Sequence, residues 1–138
     1  MLSKLALAFA ALLLLAGGAF AQGDEGFRSP TGNIHCLFLR LDGVASLRCD
    51  IKQITNRLPQ PPADCDLDWG TAFTMDADSR HAGRICHGDT VVGRYPILAY
   101  GQMWSRNGLV CRSSQTGMSC RNRRGAGFDL SRSSQKVY

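Results

Sequence analysis

The stretch HCLFLRLDGVASLRCD, residues 35–50, sets two cysteines on either side of an Asp-Gly pair. Asp-Gly favours a two-residue type I′ turn, whose twist matches that of the flanking strands. With Asp42-Gly43 at the tip, Leu41 faces Val44. Five steps back from the tip, Cys36 then lies directly opposite Cys49. The pair beside such a turn is hydrogen-bonded and the type alternates, so this position is a non-hydrogen-bonded pair, where Cα atoms approach most closely. That spacing is within disulfide range. Turn chemistry and cysteine spacing therefore agree on a stapled hairpin. The cysteine face also carries Ile34, Phe38, Ala45, Leu47 and Ile51, and is read as a core face. The other face mixes Leu37, Leu39, Leu41 and Val44 with His35, Arg48 and Asp50, and is read as partly covered.

A second hairpin repeats the arrangement. Ser114-Gln115-Thr116-Gly117 fits a four-residue loop, with Gly117 supplying a left-handed exit. Ser113 then faces Met118 and Cys111 faces Cys120. By elimination Cys65 pairs with Cys86. Asn107-Gly108 is another hairpin signal, and its register places Trp104 opposite Cys111. Zinc is the competing use of cysteine, but the chain has no C-x-x-C and its cysteine spacings are irregular.

The compartment agrees with disulfides. The chain opens with Lys4, a 12-residue apolar run from Leu5 to Ala16, and the small-x-small site Ala19-Phe20-Ala21. This is the pattern of a secretory signal peptide over residues 1–21. The run is shorter than the ~20 residues a membrane span needs. Residues 22–138 then form one domain, exported to the periplasm or the medium. An even six cysteines in an exported chain argue for three bridges.

Glycine is frequent and helical periodicity is absent, while apolar alternation recurs between turn signals. Strands are expected near 34–41, 44–52, 69–76, 83–92, 95–104, 109–113, 118–122 and 126–132. The fold class is an all-β, disulfide-stapled antiparallel barrel or sandwich. The segment RLPQPPADC is a connection, because proline donates no ladder hydrogen bond. Residues 22–27 read as a polar lead-in and 133–138 as a fraying tail.

Several constellations could carry chemistry. His35 faces Asp50 across the first hairpin, which suits either an oriented general base or a cross-strand ion pair on a solvated face. No nucleophile lies beside it, and the ion pair is the expectation. Asp76, Asp78, His81, His87 and Asp89 cluster around one hairpin, as a divalent-metal site or a polar loop. The loop reading is preferred, and no metal or cofactor is expected. Ser133-x-x-Lys136 matches S-x-x-K without its partner motifs. G-x-S-x-G, H-E-x-x-H and phosphate-binding glycine loops are absent, and Glu25 is the only glutamate. No catalytic residue is assigned. Trp69, Phe73, Tyr95, Tyr100 and Trp104 serve either as core or as a stacking surface for sugars or bases.

Charge is unevenly spread. Residues 22–89 hold seven Lys or Arg against ten Asp or Glu, whereas residues 90–138 hold eight against one, a change from −3 to +7. Arg112, Arg121, Arg123, Arg124 and Arg132 are the candidate anion-binding residues. An anionic envelope polymer or lipid surface is the expected partner, a protein partner is left open, and nucleic acid is not expected.

The segments FRSPTGNIHC, DWG, CHGDT, LAYG, GLVC and GMSCRNRRGAGFDLSR resemble an uncharacterised family of small exported bacterial domains, a domain of unknown function. The likeness spans Phe27 to Arg132. It implies secretion and disulfides, and it brings no established activity or catalytic residues. Relatives carry G-H-G-F where this chain has Gly125-Ala126-Gly127-Phe128. The sequence thus points to an exported, non-catalytic binding or envelope-associated module. The alternatives are an inhibitor or accessory protein of a secreted enzyme, and a small hydrolase.

Overall fold

The structure, a computed structural model, describes residues 25–138. The signal peptide expected over residues 1–21 lies outside the described residues. The first sheet holds β1 (Gly26–Arg28), β2 (Ile34–Leu41), β3 (Val44–Ile51), β4 (Ala72–Asp76) and β5 (Gly83–Arg84) in sequence order. The second holds β6 (Met103–Arg106), β7 (Leu109–Ser114), β8 (Gly117–Arg121), β9 (Gly127–Leu130) and β10 (Gln135–Val137), again in order. All strand pairs are antiparallel, so the expected sandwich is two meanders packed face to face. The described residues contain no helix long and apolar enough to cross a membrane.

Local chemistry sets both registers. Asp42 and Gly43 sit at φ 50° and 81°, and Asn107 and Gly108 at 50° and 79°, the double left-handed geometry of a type I′ turn. Leu41 pairs with Val44 and Cys36 with Cys49. Ser113 pairs with Met118 and Cys111 with Cys120. The second loop is one step tighter than expected, because Ser114 and Gly117 also pair, leaving Gln115-Thr116 at the tip. The three disulfides join Cys36 to Cys49, Cys65 to Cys86, and Cys111 to Cys120. In both hairpin bridges the Cα atoms are 4.1 Å apart.

The core is what the inward residues of both sheets bury between them. Phe27 and Phe38 flank Trp104, with ring centroids 5.0 and 6.3 Å away, and Phe73 packs on Phe128 at 6.0 Å. Ile34, Leu47, Ile51, Met75, Leu109, Met118 and Leu130 fill the remainder. Trp104 and Phe73 are fully buried and therefore belong to the core, not to a stacking surface.

The expected strands at 83–92 and 95–104 are not formed as such. Only Gly83–Arg84 forms a strand in the first and the strand of the second starts at Met103, with isolated bridges from His87 to Asp68 and from Ile97 to Arg28 between them. Most of residues 85–102 instead forms a strap without ladder pairing. It runs over the outer face of the first sheet and hands the chain to the second. Val91 is buried by covering that first sheet, while Leu98 joins the core beside β1, where Ile97 bridges to Arg28; together they mimic the apolar pattern of a strand. Two short strands were also missed. The expected lead-in contains β1, whose single inward residue Phe27 gives no period to read. The expected fraying tail is β10, paired with β9 and tied by the Tyr138 carbonyl to the amides of Ala82 and Gly127.

The disulfides differ in access. Cys36, Cys49, Cys111 and Cys120 are fully buried, whereas Cys65 is half-buried and Cys86 exposed. Mild reduction with alkylation should label Cys65 and Cys86 first, mapped by mass spectrometry. Labelling of the other four should wait for global unfolding, and removing either core bridge should lower stability by about 3 kcal/mol. Early labelling at Cys36 or Cys111 would contradict the buried arrangement.

Candidate functional site

The outer face of the first sheet is polar and nevertheless buried. Arg48 and Asp50 lie two apart on β3 and so share a face. The Arg48 guanidinium donates Nε to Asp50 Oδ1 at 2.8 Å and Nη2 to Oδ2 at 3.1 Å. It also donates to the Asp89 side chain at 2.9 Å and the Asp89 carbonyl at 3.0 Å. Asp50 additionally accepts from the Thr90 hydroxyl and the Val91 amide, both at 3.0 Å. This network clamps the strap down. Burial disfavours the charged form of Arg48, but hydrogen bonds and charge from Asp50 and Asp89 outweigh it and raise its pKa above the ordinary arginine value. The hydrogen bond and charge of Arg48 in turn hold the Asp89 carboxyl below the usual range.

The expected His35–Asp50 ion pair on a solvated face is corrected. The two residues are register partners, but both are buried. The His35 ring bonds backbone instead: Nε2 donates to the Gly32 carbonyl at 2.9 Å, and Nδ1 accepts from the Gly93 amide at 3.3 Å. Neither ring nitrogen is left for a substrate proton. Tyr95 lies across Gly26, where a Cβ would strike its ring, and Arg28 donates Nε to the Tyr95 carbonyl.

The residues Asp76, Asp78, His81, His87 and Asp89 are not brought to one point. His87 turns inward, with Nδ1 2.7 Å from the Asp89 carbonyl and Nε2 3.0 Å from the Thr71 hydroxyl. Asp78 pairs with Arg123 at 3.1 Å, and Asp89 with Arg48. His81 is exposed. Among the described residues, the trio of possible ligand atoms within 4.8 Å of one another is the sulfurs of Cys36, Cys49 and Cys120, all consumed in disulfides. Ser133 and Lys136 lie on a turn and a strand, so the S-x-x-K spacing does not aim them together as a helix would.

Among the described residues nothing covers the outer face of the second sheet, and that sheet falls wholly in the positive half of the chain. Arg112, Ser119, Asp129 and Lys136 form a cross-strand row over β7 to β10. The five candidate arginines divide into two groups. Arg121 is occupied: it lies 3.1 Å from the Asp129 carboxylate, donates to the Cys120 and Phe128 carbonyls, and covers the Tyr138 ring at 4.5 Å. Arg123 pairs with Asp78 and donates to the Asn107 carbonyl. Arg112, Arg124 and Arg132 are exposed, as is Lys136, and none has a carboxylate partner among the described residues. Arg124 sits at one end of β9 and Arg132 at the other, with Arg112 between them two strands across.

A cleft missed in the sequence opens beside this face. A concavity of about 540 Å³ lies where the turn after β1 meets the β7–β8 turn, lined in part by Thr31, Asn33, Tyr100, Thr116 and Arg132. A second, of about 370 Å³, lies on the sheet side of the same turn, with Ser119, Asp129 and Lys136 in its wall. They share Ser114, Thr116, Gly117 and Ser131. The sequence signal was the density of hydroxyl residues in RSSQTGMS and LSRSSQ, which reads as ordinary turn composition until both turns meet.

Asp129 is the one carboxylate of that face. Burial opposes its ionisation, but hydrogen bonds from Arg121, Ser119 and Tyr138 outweigh this and hold its pKa below the ordinary value. Its contribution to stability is thus present above the unfolded-state value near ~4 and lost as pH falls through the lower folded value. Asp129→Asn should flatten the acid limb of the stability curve below about pH 4, followed by urea unfolding. An unchanged limb would remove Asp129 as an anchor of the face. Arg48→Met should cost about 3–5 kcal/mol, because it strands Asp50 as an unpaired buried charge. A loss under about 1 kcal/mol would mean solvent reaches the pair.

Comparison with known proteins places these features in a family without assigning them a role. No curated protein matches the chain, and no solved structure matches it. The model of DUF6636, a family of unknown function, matches residues 7–138. That span includes the first stapled hairpin, the strap, the second sheet and its cleft, and the chain belongs to this family of unknown function.

Proposed function

We propose that the protein is an exported, non-catalytic binding module that holds an anionic ligand or surface against its second sheet. One observation carries the reading. Arg112 and Lys136 on the open face of the second sheet, with Arg124 and Arg132 in the segments flanking β9, all reach solvent without a carboxylate partner among the described residues. Guanidinium forks match carboxylate and phosphate geometry. Export rests on the signal-peptide pattern of residues 1–21 together with three disulfides, which persist in oxidising compartments. The non-catalytic reading is supported by His35, whose ring is spent on backbone.

Binding of this kind weakens steeply with salt, since exposed charges are screened within about 10 Å at 0.1 M. Co-sedimentation with anionic and neutral liposomes and polysaccharides should show retention on anionic material at low salt only. The triple variant Arg112→Ala/Arg124→Ala/Arg132→Ala should lower both the affinity and its salt slope while melting like the parent. Equal retention on neutral material, or indifference to salt, would refute the reading.

A second reading, inhibition of a secreted enzyme, is favoured by the loop before Cys65. Residues 55–64 are all exposed, yet both ends are fixed. The Thr55 amide donates to the Arg132 carbonyl at 2.8 Å, and Asn56 and Gln135 exchange two amide hydrogen bonds at 3.0 and 2.8 Å. Cys65–Cys86 anchors the far end. Proline and pre-proline sterics keep residues 58–61 extended. This is a preorganised docking segment that exposes Arg57. Titration against an arginine-specific serine protease should then show inhibition that Arg57→Ala abolishes, and no inhibition by the parent protein would dismiss this role for the loop.

A further inference from the structure

We infer that the cleft between the Ser29–Asn33 turn and the β7–β8 turn is a saccharide-binding groove, and that the anionic ligand is an acidic polysaccharide. The inference rests on the anion-binding reading above and narrows it to one ligand class. Each sheet contributes an i, i+2 hydroxyl pair to the cleft. Ser29 and Thr31 are 3.2 Å apart on the first sheet's turn, and Ser114 and Thr116 are 2.9 Å apart on the second's. Ser29 is buried and also accepts from the Ile34 amide, Thr31 accepts from the Asn33 amide, and Ser114 donates to the Gly117 carbonyl. With one donor and two acceptor sites per hydroxyl, the capacity left toward a ligand sits on the exposed Thr31 and Thr116. Ser133, Gln115 and the half-exposed Tyr100 line the same space.

This composition suits a carbohydrate. Short hydroxyl side chains offer many neutral hydrogen bonds at low conformational cost. Tyr100 offers a flat amphipathic surface with one polar end. The cleft volume is in the range of small-ligand sites. Each concavity has a cation in its lining, and the Asp129 carboxylate that shares the second is already engaged by Arg121, Ser119 and Tyr138. Arg132 borders the cleft on one side of the β7–β8 turn and Lys136 borders the adjoining concavity on the other. A chain of sugars crossing the turn would meet several hydroxyls and a cation on either side of it, as a uronic-acid or similarly acidic glycan requires.

A bilayer fits less well. Membrane docking by a basic face is strengthened by apolar side chains that enter the lipid boundary. Of the exposed large aliphatic residues, Leu41 and Val44 lie at the tip of the β2–β3 hairpin, Leu58 and Leu67 between β3 and β4, and Val92 and Ile97 in the strap, none on a strand of the second sheet. Tyr138 is exposed on the basic face, but it is held by Arg121 and Asp129.

The test is calorimetric titration of the mature protein with four probes: an oligouronate, a neutral oligosaccharide of the same length, inorganic polyphosphate of matched charge, and phosphatidylglycerol vesicles. The oligouronate should bind about tenfold or more tightly than polyphosphate. Tyr100→Ala should weaken it by about tenfold without altering the salt slope, as expected of an aromatic anchor, and Tyr100→Phe should restore it. Thr116→Val should weaken it at unchanged charge, and Arg132→Ala should lower the slope. Polyphosphate or vesicles binding as tightly as oligouronate, with Tyr100→Ala silent, would overturn the groove while leaving anion binding intact. Binding to none of the charged probes would overturn both.

Discussion

The structure depends on two cross-strand disulfides that meet at its centre. Cys36–Cys49 staples the first sheet and Cys111–Cys120 the second, and sulfurs from both lie within 4.8 Å of one another. Each occupies a non-hydrogen-bonded position, where strands come closest and the bridge fits without spreading them. Because both are fully buried and face inward, they fix which side of each sheet is the inside. A one-residue slip in either hairpin would separate the cysteines and turn the core side chains outward. Trp104, paired in register with Cys111 and packed between Phe27 and Phe38, joins the bridges to the rest of the core.

With the inner faces committed, the outer faces diverge. The first sheet's outer side carries Arg48, Asp50 and His35, which are too costly to bury alone. The strap of residues 85–102 supplies their partners: the Asp89 side chain, the Thr90 hydroxyl and the amides of Val91 and Gly93. Polar satisfaction and covering of the face are therefore one event. A buried ion pair of this type adds little net stability, but it is strongly destabilising when broken, so it specifies where the strap lies. Among the described residues the second sheet has no such cover, and Arg112, Ser119 and Lys136 on its outer side are exposed. The two sheets thus assign roles within one small fold, the first closed and the second open.

That division gives the charge asymmetry of the chain a spatial meaning. Because each sheet is a meander of consecutive strands, a contrast along the sequence becomes a contrast between layers. The positive second half forms the open layer. Within it the charges are not equivalent. Arg121 is a structural cation, stacked on Tyr138 and spent on Asp129 and backbone carbonyls, while Arg112, Arg124 and Arg132 remain available. The cleft at the end of the sandwich adds a concave, hydroxyl-lined neighbour to these cations.

What the sequence determined by itself was local and covalent. Asp42-Gly43 dictates a I′ turn whose register brings Cys36 to Cys49, Asn107-Gly108 does the same for β6–β7 and sets Trp104 opposite Cys111, and the separate Ser114–Gly117 turn brings Cys111 to Cys120. Inward faces followed from alternation over strands long enough to show a period. The tertiary structure decided everything that depends on residues far apart in the chain. His35 and Asp50 read as solvent-facing because their cover comes from forty or more residues downstream. The strap read as two strands because covering a sheet and joining one call for the same alternation. The three-residue strands β1 and β10 carried too few side chains to show any period. The pairing state of each arginine, and the meeting of two hydroxyl-rich turns in one cleft, are products of how the sheets stack, which no local pattern encodes.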